Sequence, residues 1–348
     1  MKTLHHWSVV FASIGILLLM SACDHDMSIG STVYEDGSLD RTMVLYDSDS
    51  IKISNNILGA NNAAGWEVTT EPVLDSEKKE SKNNITFKKH FASVEEANSE
   101  MNRDVDTLFH IHSTFEKQNR WFYTYLEYTD TYRSLDLFKA IPKQDYFTRE
   151  DFAFIDRLPA EGKPIMKADS LYLARLTEKI FDFYATRTIF EELFTNMMTT
   201  MTENNVSPNW KDSLLHKKEA IYQAFLQEGD LGDNELLSVA DKLKIPLPEA
   251  GREAIRKKTA DIEKRLEFIS EAYSGKYLHS IMLPWKVVDS NADSVNNNQL
   301  FWHPPVIKFL LKDYTMTARS RKMNVWAIAI SAVVVGVTAG LFFVRRRG

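Results

Sequence analysis

The longest run of apolar residues lies at the C-terminal end of the chain. Val325 to Val344 contains twenty residues and no charge, and as a helix it spans roughly 30 Å, the thickness of one hydrocarbon core. Arg345, Arg346 and Arg347 follow at once. The pattern predicts a transmembrane helix over 325–344 and a tail over 345–348, which is cytoplasmic because Lys and Arg are enriched on that side.

A second, shorter apolar run lies near the N-terminus. Trp7 to Met20 follows Lys2 and precedes Ser21, Ala22 and Cys23, which is the only cysteine. This layout predicts a cleavable secretory signal. It resembles the bacterial lipobox, which implies a lipoprotein signal peptide over 1–22 and attachment of lipid, such as palmitate, at Cys23. An uncleaved signal anchor is the alternative.

Between these runs, the period of the apolar positions changes twice. Residues 23–147 and 275–322 show the period of two that is typical of strands, with turn signals such as Asp36-Gly37. Ser93-Val-Glu-Glu96 is a capping box that predicts a short helix among them. The predicted strands are 41–46, 66–70, 85–91, 109–116, 120–133, 276–288, 299–302 and 312–321.

Residues 148–274 show the helical period instead. The predicted helices are 149–157, 169–204, 208–227, 233–243 and 248–273, and their apolar seams indicate an antiparallel bundle. The longest seam comprises Leu173, Leu176, Ile180, Phe183, Phe190, Phe194, Met197 and Met201. The predicted fold class is therefore α+β: an antiparallel sheet built from both flanks, an inserted helical bundle and one C-terminal transmembrane helix.

The most aromatic stretch is Trp121 to Tyr128, in the second arm of a predicted hairpin. A strand here places Trp121, Tyr123 and Tyr125 on one face, and further apolar residues on the other. Because both faces are apolar, the strand is expected to be covered on both sides, or covered on one side and lining a cavity on the other. Trp121, Tyr123 and Tyr125 are thus the candidate surface for an apolar ligand, and a packed core strand is the simpler alternative.

The C-terminal flank carries a longer pattern. Leu283-Pro-Trp-Lys-Val-Val-Asp-Ser-Asn-Ala292, a polar loop, Leu300-Phe-Trp302 and an apolar helix follow in order. Together with the capped helix after Ser93, this order resembles the LppM-like bacterial envelope lipoproteins, although Trp285 stands where that family has glycine and the helical middle is unmatched. The resemblance implies a curved antiparallel sheet with a helix across it, and a cavity that accepts a lipid or another apolar molecule.

The charge balance of the chain makes polyanionic partners unfavourable. The chain has 42 Lys and Arg against 48 Asp and Glu, and without the signal peptide and the terminal arginines it has 38 against 48. This acidic balance argues against nucleic acid as a partner, and against electrostatic adhesion to anionic lipid headgroups.

Motifs that carry chemistry are sparse. His110 and His112 share one face of a predicted strand, but no cysteine or suitably spaced acidic residue accompanies them, so both are expected to face solvent. Glu191 and Glu192 are adjacent on a helix and are expected on a solvated face. The sequence has no phosphate-binding loop, nucleophile elbow or paired metal motif. No catalytic residue, cofactor or metal is therefore predicted.

The two anchors predict a location. Cys23 to Ser31 reaches at most roughly 30 Å, so both anchors are expected in one bilayer, the bacterial cytoplasmic membrane. The ectodomain is then periplasmic, and its first and last strands end at the same membrane surface. Ala332, Gly336 and Gly340 form a small-xxx-small stripe that favours self-association or a membrane-protein partner.

Three functions are consistent with this sequence. The first is a non-enzymatic envelope lipoprotein that scaffolds or assists a membrane complex. The second is a domain that binds or handles a lipid or another apolar ligand at the outer leaflet. An envelope enzyme is the third and has the least support, because no catalytic motif occurs in the sequence.

Overall fold

The computed structural model describes residues 27–48, 60–74, 81–102, 110–135, 139–206, 208–228 and 235–347. The predicted signal peptide and Cys23 lie outside the described residues. Two compact units make up the chain. The helical unit comprises Leu135–Ser274, whereas the predicted helical insertion begins at residue 148, and the sheet unit comprises His25–Ser134 and Gly275–Gly348.

Most regular elements follow the predicted order, whereas the strands Met27–Val33 and Ser294–Asn296 and the short helix Ile307–Leu310 were not predicted. The strands are β1 (Met27–Val33), β2 (Leu39–Ser48), β3 (Glu67–Leu74), β4 (Ser81–Phe91), β5 (Ile111–Asn119), β6 (Tyr123–Tyr132), β7 (Tyr277–Met282), β8 (Lys286–Ser290), β9 (Ser294–Asn296), β10 (Gln299–Trp302) and β11 (Tyr314–Met323). The helices are α1 (Val94–Met101), α2 (Arg149–Arg157), α3 (Lys167–Glu178), α4 (Thr186–Glu203), α5 (Pro208–Glu228), α6 (Glu235–Lys242), α7 (Glu249–Ser274), α8 (Ile307–Leu310) and α9 (Val325–Arg347).

The longest predicted helix of the helical unit contains an irregular segment. A π-helical stretch, Lys179–Ala185, joins α3 to α4. Most of the predicted seam is buried, as Phe190, Phe194 and Met197 illustrate, but Phe183 is 45% exposed. Phe183 lies within the π-helical stretch, where the wider turn shifts the side chains away from the regular 3.6-residue period.

Glu191 and Glu192, which were predicted to face solvent, form ion pairs with residues of neighbouring helices. Glu191 pairs with Arg187 of its own helix and with Lys218 of α5. Glu192 pairs with Arg265 of α7 at 2.6 Å, and both glutamate side chains are only 14% exposed. The prediction of a solvated face is therefore wrong, because the two glutamates lie where neighbouring helices present cations.

Two sheets form the sheet unit. The seven-stranded sheet A has the order β3-β4-β2-β1-β7-β10-β9, and the four-stranded sheet B has the order β5-β6-β11-β8. All recorded strand pairs are antiparallel except β1 with β7, which are parallel. Each sheet combines strands from both flanks of the chain, and the predicted α+β class is confirmed.

The chain changes sheet at the break predicted around Pro284. Strand β7 ends at Met282 in sheet A, and β8 begins at Lys286 in sheet B. Proline lacks the N–H that a continuing ladder needs, and Trp285 next to it is buried. One predicted strand is thereby divided between the two sheets.

Candidate membrane-facing site

The C-terminal helix follows the strand β11 of sheet B almost directly. Strand β11 ends at Met323 and α9 begins at Val325, so Asn324 is the whole connection. Within the described residues, α9 is the helix long and apolar enough to cross a membrane, and only 6% of its apolar window is buried. Its start therefore has a position fixed by the sheet.

Asn324 joins this start to the tip of the β5–β6 hairpin. Its backbone N–H donates to the carbonyl of Phe122 at 2.9 Å. Its side-chain amide donates to the carbonyl of Arg120 at 2.7 Å, and its side-chain oxygen accepts from the Thr124 hydroxyl at 2.9 Å. Its own carbonyl accepts from the N–H of Ala327 at 3.0 Å, as at the beginning of a helix. Asn324 is buried although it lies at the edge of the unit.

Two tryptophans surround the same junction. The Trp121 ring packs edge-on against Trp326, with centroids 5.3 Å apart and an interplanar angle of 71°. The Trp121 indole N–H donates to the Ser331 hydroxyl at 3.0 Å. Ser331 lies six residues beyond Val325, or about 9 Å along the helix axis. The hairpin tip thus extends alongside the first turns of the apolar helix, and Trp121, Phe122 and Trp326 are all about half exposed.

The three residues of the predicted ligand surface, Trp121, Tyr123 and Tyr125, do not all lie on one strand. Trp121 lies in the turn, whereas Tyr123 and Tyr125 lie on β6 and point to its outer, partly exposed face. The opposite face, with Leu126, Tyr128 and Tyr132, is fully buried. Of the two arrangements expected, coverage on both sides is wrong, because only one face of the strand is fully buried. Tyr123 and Tyr125 as a surface for an apolar ligand stay a prediction.

The small residues of α9 are accessible. Nothing lies within 4 Å of a Cβ built on Gly336 or Gly340, and Ala332 is exposed. The predicted packing stripe is thus open in the single chain, which leaves self-association or a partner helix as a prediction.

Sequence reasoning missed a buried ionic cluster between the two sheets. The Asp130 carboxylate on β6 accepts two hydrogen bonds from the Arg41 guanidinium on β2, at 2.9 and 3.2 Å. It also accepts from Ser31 at 2.8 Å, from Tyr128 at 2.8 Å and from Ser113. Arg41 and Asp130 are fully buried. Such a pair requires good geometry and further hydrogen bonds to offset its desolvation, and these side chains provide them.

His279 on β7 completes this cluster in its neutral form. Its Nε2 lies 2.9 Å from Asp130 and its Nδ1 lies 2.9 Å from the Tyr132 hydroxyl. Burial lowers the pKa of His279, against the opposing effect of the Asp130 charge. Burial alone would raise the pKa of Asp130, but the charge of Arg41 and the hydrogen bond from His279 hold it well below its usual range. Because ionised Asp130 only accepts, Nε2–H donates to it, and Nδ1 accepts from Tyr132.

The cluster has the residue types of a catalytic site but none of its accessibility. Arg41, Asp130 and His279 are each 0% exposed, so a substrate has no route to them without opening the sheets. What the arrangement can do is join sheet A, which holds Arg41 and His279, to sheet B, which holds Asp130.

The direction of β1 is fixed by the same contacts. Ser31 bonds to Asp130, whereas Glu35, further along, pairs with Lys322 at 2.6 Å. Strand β1 therefore runs towards the end of the unit where α9 starts. Asp130 is six residues from Thr124, or about 20 Å, and Met27 lies four residues beyond the level of Ser31, or about another 13 Å. Met27 is thus roughly 30 Å from Asn324 for aligned sheets.

This direction corrects one expectation from the sequence. The first strand does not begin at the surface where the last strand ends, because β1 starts at the opposite end of the sheet unit.

Among the described residues, a metal site and a ligand cleft are both weaker candidates than the junction at Asn324. The described residues contain no group of three or more His, Cys, Asp or Glu side chains placed to hold a metal ion. A cleft of about 430 Å³ lies in the helical unit, and its lining is mostly polar or charged: Leu237, Ser238, Asp241, Lys242, Arg252 and Arg256. Neither Trp121 nor Tyr125, beside which an apolar cavity was expected, lines this cleft.

Comparison with known proteins adds one likeness. No family model and no curated protein matches the sequence. Among solved structures, the NMR structure of the folded domain of Mycobacterium tuberculosis LppM matches 86% of this chain and 91% of its own, with 8% identity and a TM-score of 0.28. This is a loose structural resemblance, and a likeness of this size carries no argument about function.

Proposed function

We propose that this chain is a non-enzymatic protein of the bacterial envelope that α9 holds in the cytoplasmic membrane, with its sheet unit on the outer side. There it scaffolds or assists a membrane complex. The observation that carries the proposal is the junction at Asn324, where the hairpin tip binds the first turn of the apolar helix. A domain connected in this way keeps a set orientation to the bilayer, as a scaffold needs.

The surroundings of the junction support a bilayer at this end. Trp121 and Trp326 are the amphipathic side chains that gather at membrane interfaces, and both lie beside the start of α9. Arg345, Arg346 and Arg347 at the far end favour a cytoplasmic tail. Handling of a lipid at the outer leaflet remains the alternative function, and the partly exposed tyrosines of β6 support it.

Thiol labelling tests this topology, because the natural chain has one cysteine. Asn296→Cys on exposed β9 should react in intact cells with a membrane-impermeant maleimide, and Arg346→Cys should react only after permeabilisation. The unsubstituted chain is the control and should stay unlabelled even when denatured, if lipid occupies Cys23. Labelling of both introduced cysteines from outside would contradict membrane insertion of α9.

Native mass spectrometry of the full-length chain, extracted in mild detergent, tests the choice of function. A scaffold should retain a protein partner at fixed stoichiometry, whereas a lipid-handling domain should retain a lipid. Gly336→Ile with Gly340→Ile is the matched variant, and loss of the partner would assign the contact to the stripe on α9. A bare monomer in every sample would contradict both functions.

A further inference from the structure

The outer face of sheet B carries three arginines stacked on two tyrosines. The Arg321 guanidinium lies 4.5 Å from the ring centroid of Tyr123. Those of Arg319 and Arg120 lie 4.7 and 5.4 Å from the ring of Tyr125. Stacking holds the flat guanidinium against the ring and leaves its N–H edges available for hydrogen bonds. We call these five residues the arginine face.

Two of these cations have no counter-charge in the described parts of the chain. Arg319 lies 4.0 Å from Glu127, but no ion pair involves Arg120 or Arg321 among the described residues. Both side chains are exposed. Glu116, Glu127 and Asp289 stand across the neighbouring strands from Arg319, and Lys286 stands opposite Arg321. The three arginines and this lysine exceed the three carboxylates, so the arginine face is locally basic although the protein as a whole is acidic. Charges further away than about 10 Å are largely screened at physiological salt, so the local balance decides what binds here.

The position of the face relative to α9 identifies its partner. Arg321 lies three residues before Asn324, or about 10 Å along β11, and the Arg120 carbonyl accepts directly from Asn324 at 2.7 Å. The headgroup layer extends roughly 5–7 Å beyond the hydrocarbon core on each side. The rings of Tyr123 and Tyr125 lie opposite Met323 and Arg321, so the guanidiniums stacked on them are within about 10 Å of Asn324. With α9 inserted, this is the level of the lipid phosphates.

We propose that Arg120 and Arg321 bind the phosphate groups of anionic lipid headgroups in the leaflet that α9 enters, with Tyr123 and Tyr125 as the stacking platform. A guanidinium matches a phosphate because it donates two parallel hydrogen bonds to it. This site rests on the proposed membrane insertion of α9. It replaces the expectation, drawn from net charge alone, that the ectodomain avoids anionic headgroups.

The test compares lipids retained by the full-length chain after reconstitution into nanodiscs of mixed phosphatidylcholine and phosphatidylglycerol. The Arg120→Gln, Arg321→Gln pair should lose enrichment of phosphatidylglycerol by about fivefold for each arginine. The control pair, Arg133→Gln with Lys312→Gln, removes the same charge at the other end of sheet B and should keep the enrichment. The terminal arginines attract anionic lipid equally in every variant, so only the difference between variants counts.

Three results would overturn the site: equal enrichment in all variants, equal loss in both pairs, or no enrichment by the unsubstituted chain. Inorganic phosphate at millimolar concentration, added to the chain in uncharged detergent, should leave its melting temperature unchanged. A rise that the Arg120→Gln, Arg321→Gln pair abolishes would assign the face to free phosphate instead. Resistance of the unsubstituted chain to carbonate extraction from membranes is measured in parallel. If carbonate removes this chain from the membrane, the proposed function is contradicted rather than the lipid site.

Discussion

At the scale of single residues, Asp130 connects more of the sheet unit than any other side chain described above. Five side chains, from five strands of the two sheets, donate hydrogen bonds to its carboxylate: Ser31, Arg41, Ser113, Tyr128 and His279. Removal of the one cation among them leaves a buried charge without compensation, which is far more costly than loss of an exposed pair.

Arg41→Met should therefore destabilise the protein by about 3–5 kcal/mol. Asp313→Asn, which breaks the exposed pair of Asp313 with Arg133, should cost less than about 1 kcal/mol. Urea unfolding of both variants in detergent, followed by tryptophan fluorescence, measures the difference. Equal losses would mean that the cluster does not hold the sheets together.

Asp182 in the π-helical segment gives a pH-dependent prediction. Burial, and secondarily the charge of Glu178, raises the pKa of Asp182 to about 6. A raised carboxyl pKa means that the folded state binds the proton more tightly than the unfolded chain, so stability falls as pH rises from about 4 to about 6. Asp182→Asn should raise the melting temperature at pH 7.5, and the gain should shrink towards pH 4. A gain that does not vary with pH would refute this assignment.

The sequence indicates that Arg41 of the ionic cluster is buried, but it does not indicate which residue pairs with Arg41. The period of two in β2 puts Arg41 on the same face as Leu39 and Met43, and an arginine on a buried face needs a partner. That partner is 89 residues away, and no local pattern links the two positions. Burial of Arg41 was therefore predictable, but its pairing with Asp130 was not.

At the scale of elements, the connection between the hairpin tip and α9 depends on Asn324. Alanine there removes the side-chain bonds to Arg120 and Thr124, while the rest of β6 keeps its ladder with β11. Asn324→Ala should lower stability by about 1–2 kcal/mol. Hydrogen exchange should become faster at the backbone N–H groups of Arg120 and residue 324, which bond within this junction, but not at Tyr132. The exposed Asn296→Ala should change neither region. Uniformly faster exchange would contradict a local role.

The turn of the β5–β6 hairpin could not be predicted correctly from the sequence. The predicted strands 109–116 and 120–133 put the turn between them, near Gln118-Asn119, but β5 continues through Asn119, and the loop is Arg120, Trp121 and Phe122. Strand β5 is an edge strand, so it accommodates polar residues at its end. The apolar loop conflicts with ordinary turn composition, and it is explained only by its contact with α9.

At the scale of the whole molecule, the sheet unit is expected to stand upright on the bilayer. A fluorophore at Asn119→Cys, beside the hairpin tip, should transfer energy strongly to acceptor lipids in nanodiscs. The same dye at Arg133→Cys should transfer weakly, because β6 spans about 30 Å between these ends. Equal transfer from both positions would mean that the sheets lie flat on the bilayer.

The direction of the first strand could not be predicted from the sequence. The period of two predicted a strand at β7 but none at β1, and the parallel pairing of these strands joins Met27 to Tyr277 across the entire helical middle. The expectation that both anchors meet one surface used only chain length, which limits distance but gives no direction. Contacts such as that of Glu35 with Lys322 supply the missing direction.

The passage of β11 into α9 through a single residue also determines how the protein resists force. A pull on α9 is transmitted lengthwise along β11, which is held between β6 and β8 and is registered with β6 from Tyr314 to Met323. The hydrogen bonds of an antiparallel ladder lie perpendicular to the strand, so such a pull strains the whole row in shear instead of opening one bond at a time. The apolar helix α9 therefore has a mechanically strong attachment to sheet B.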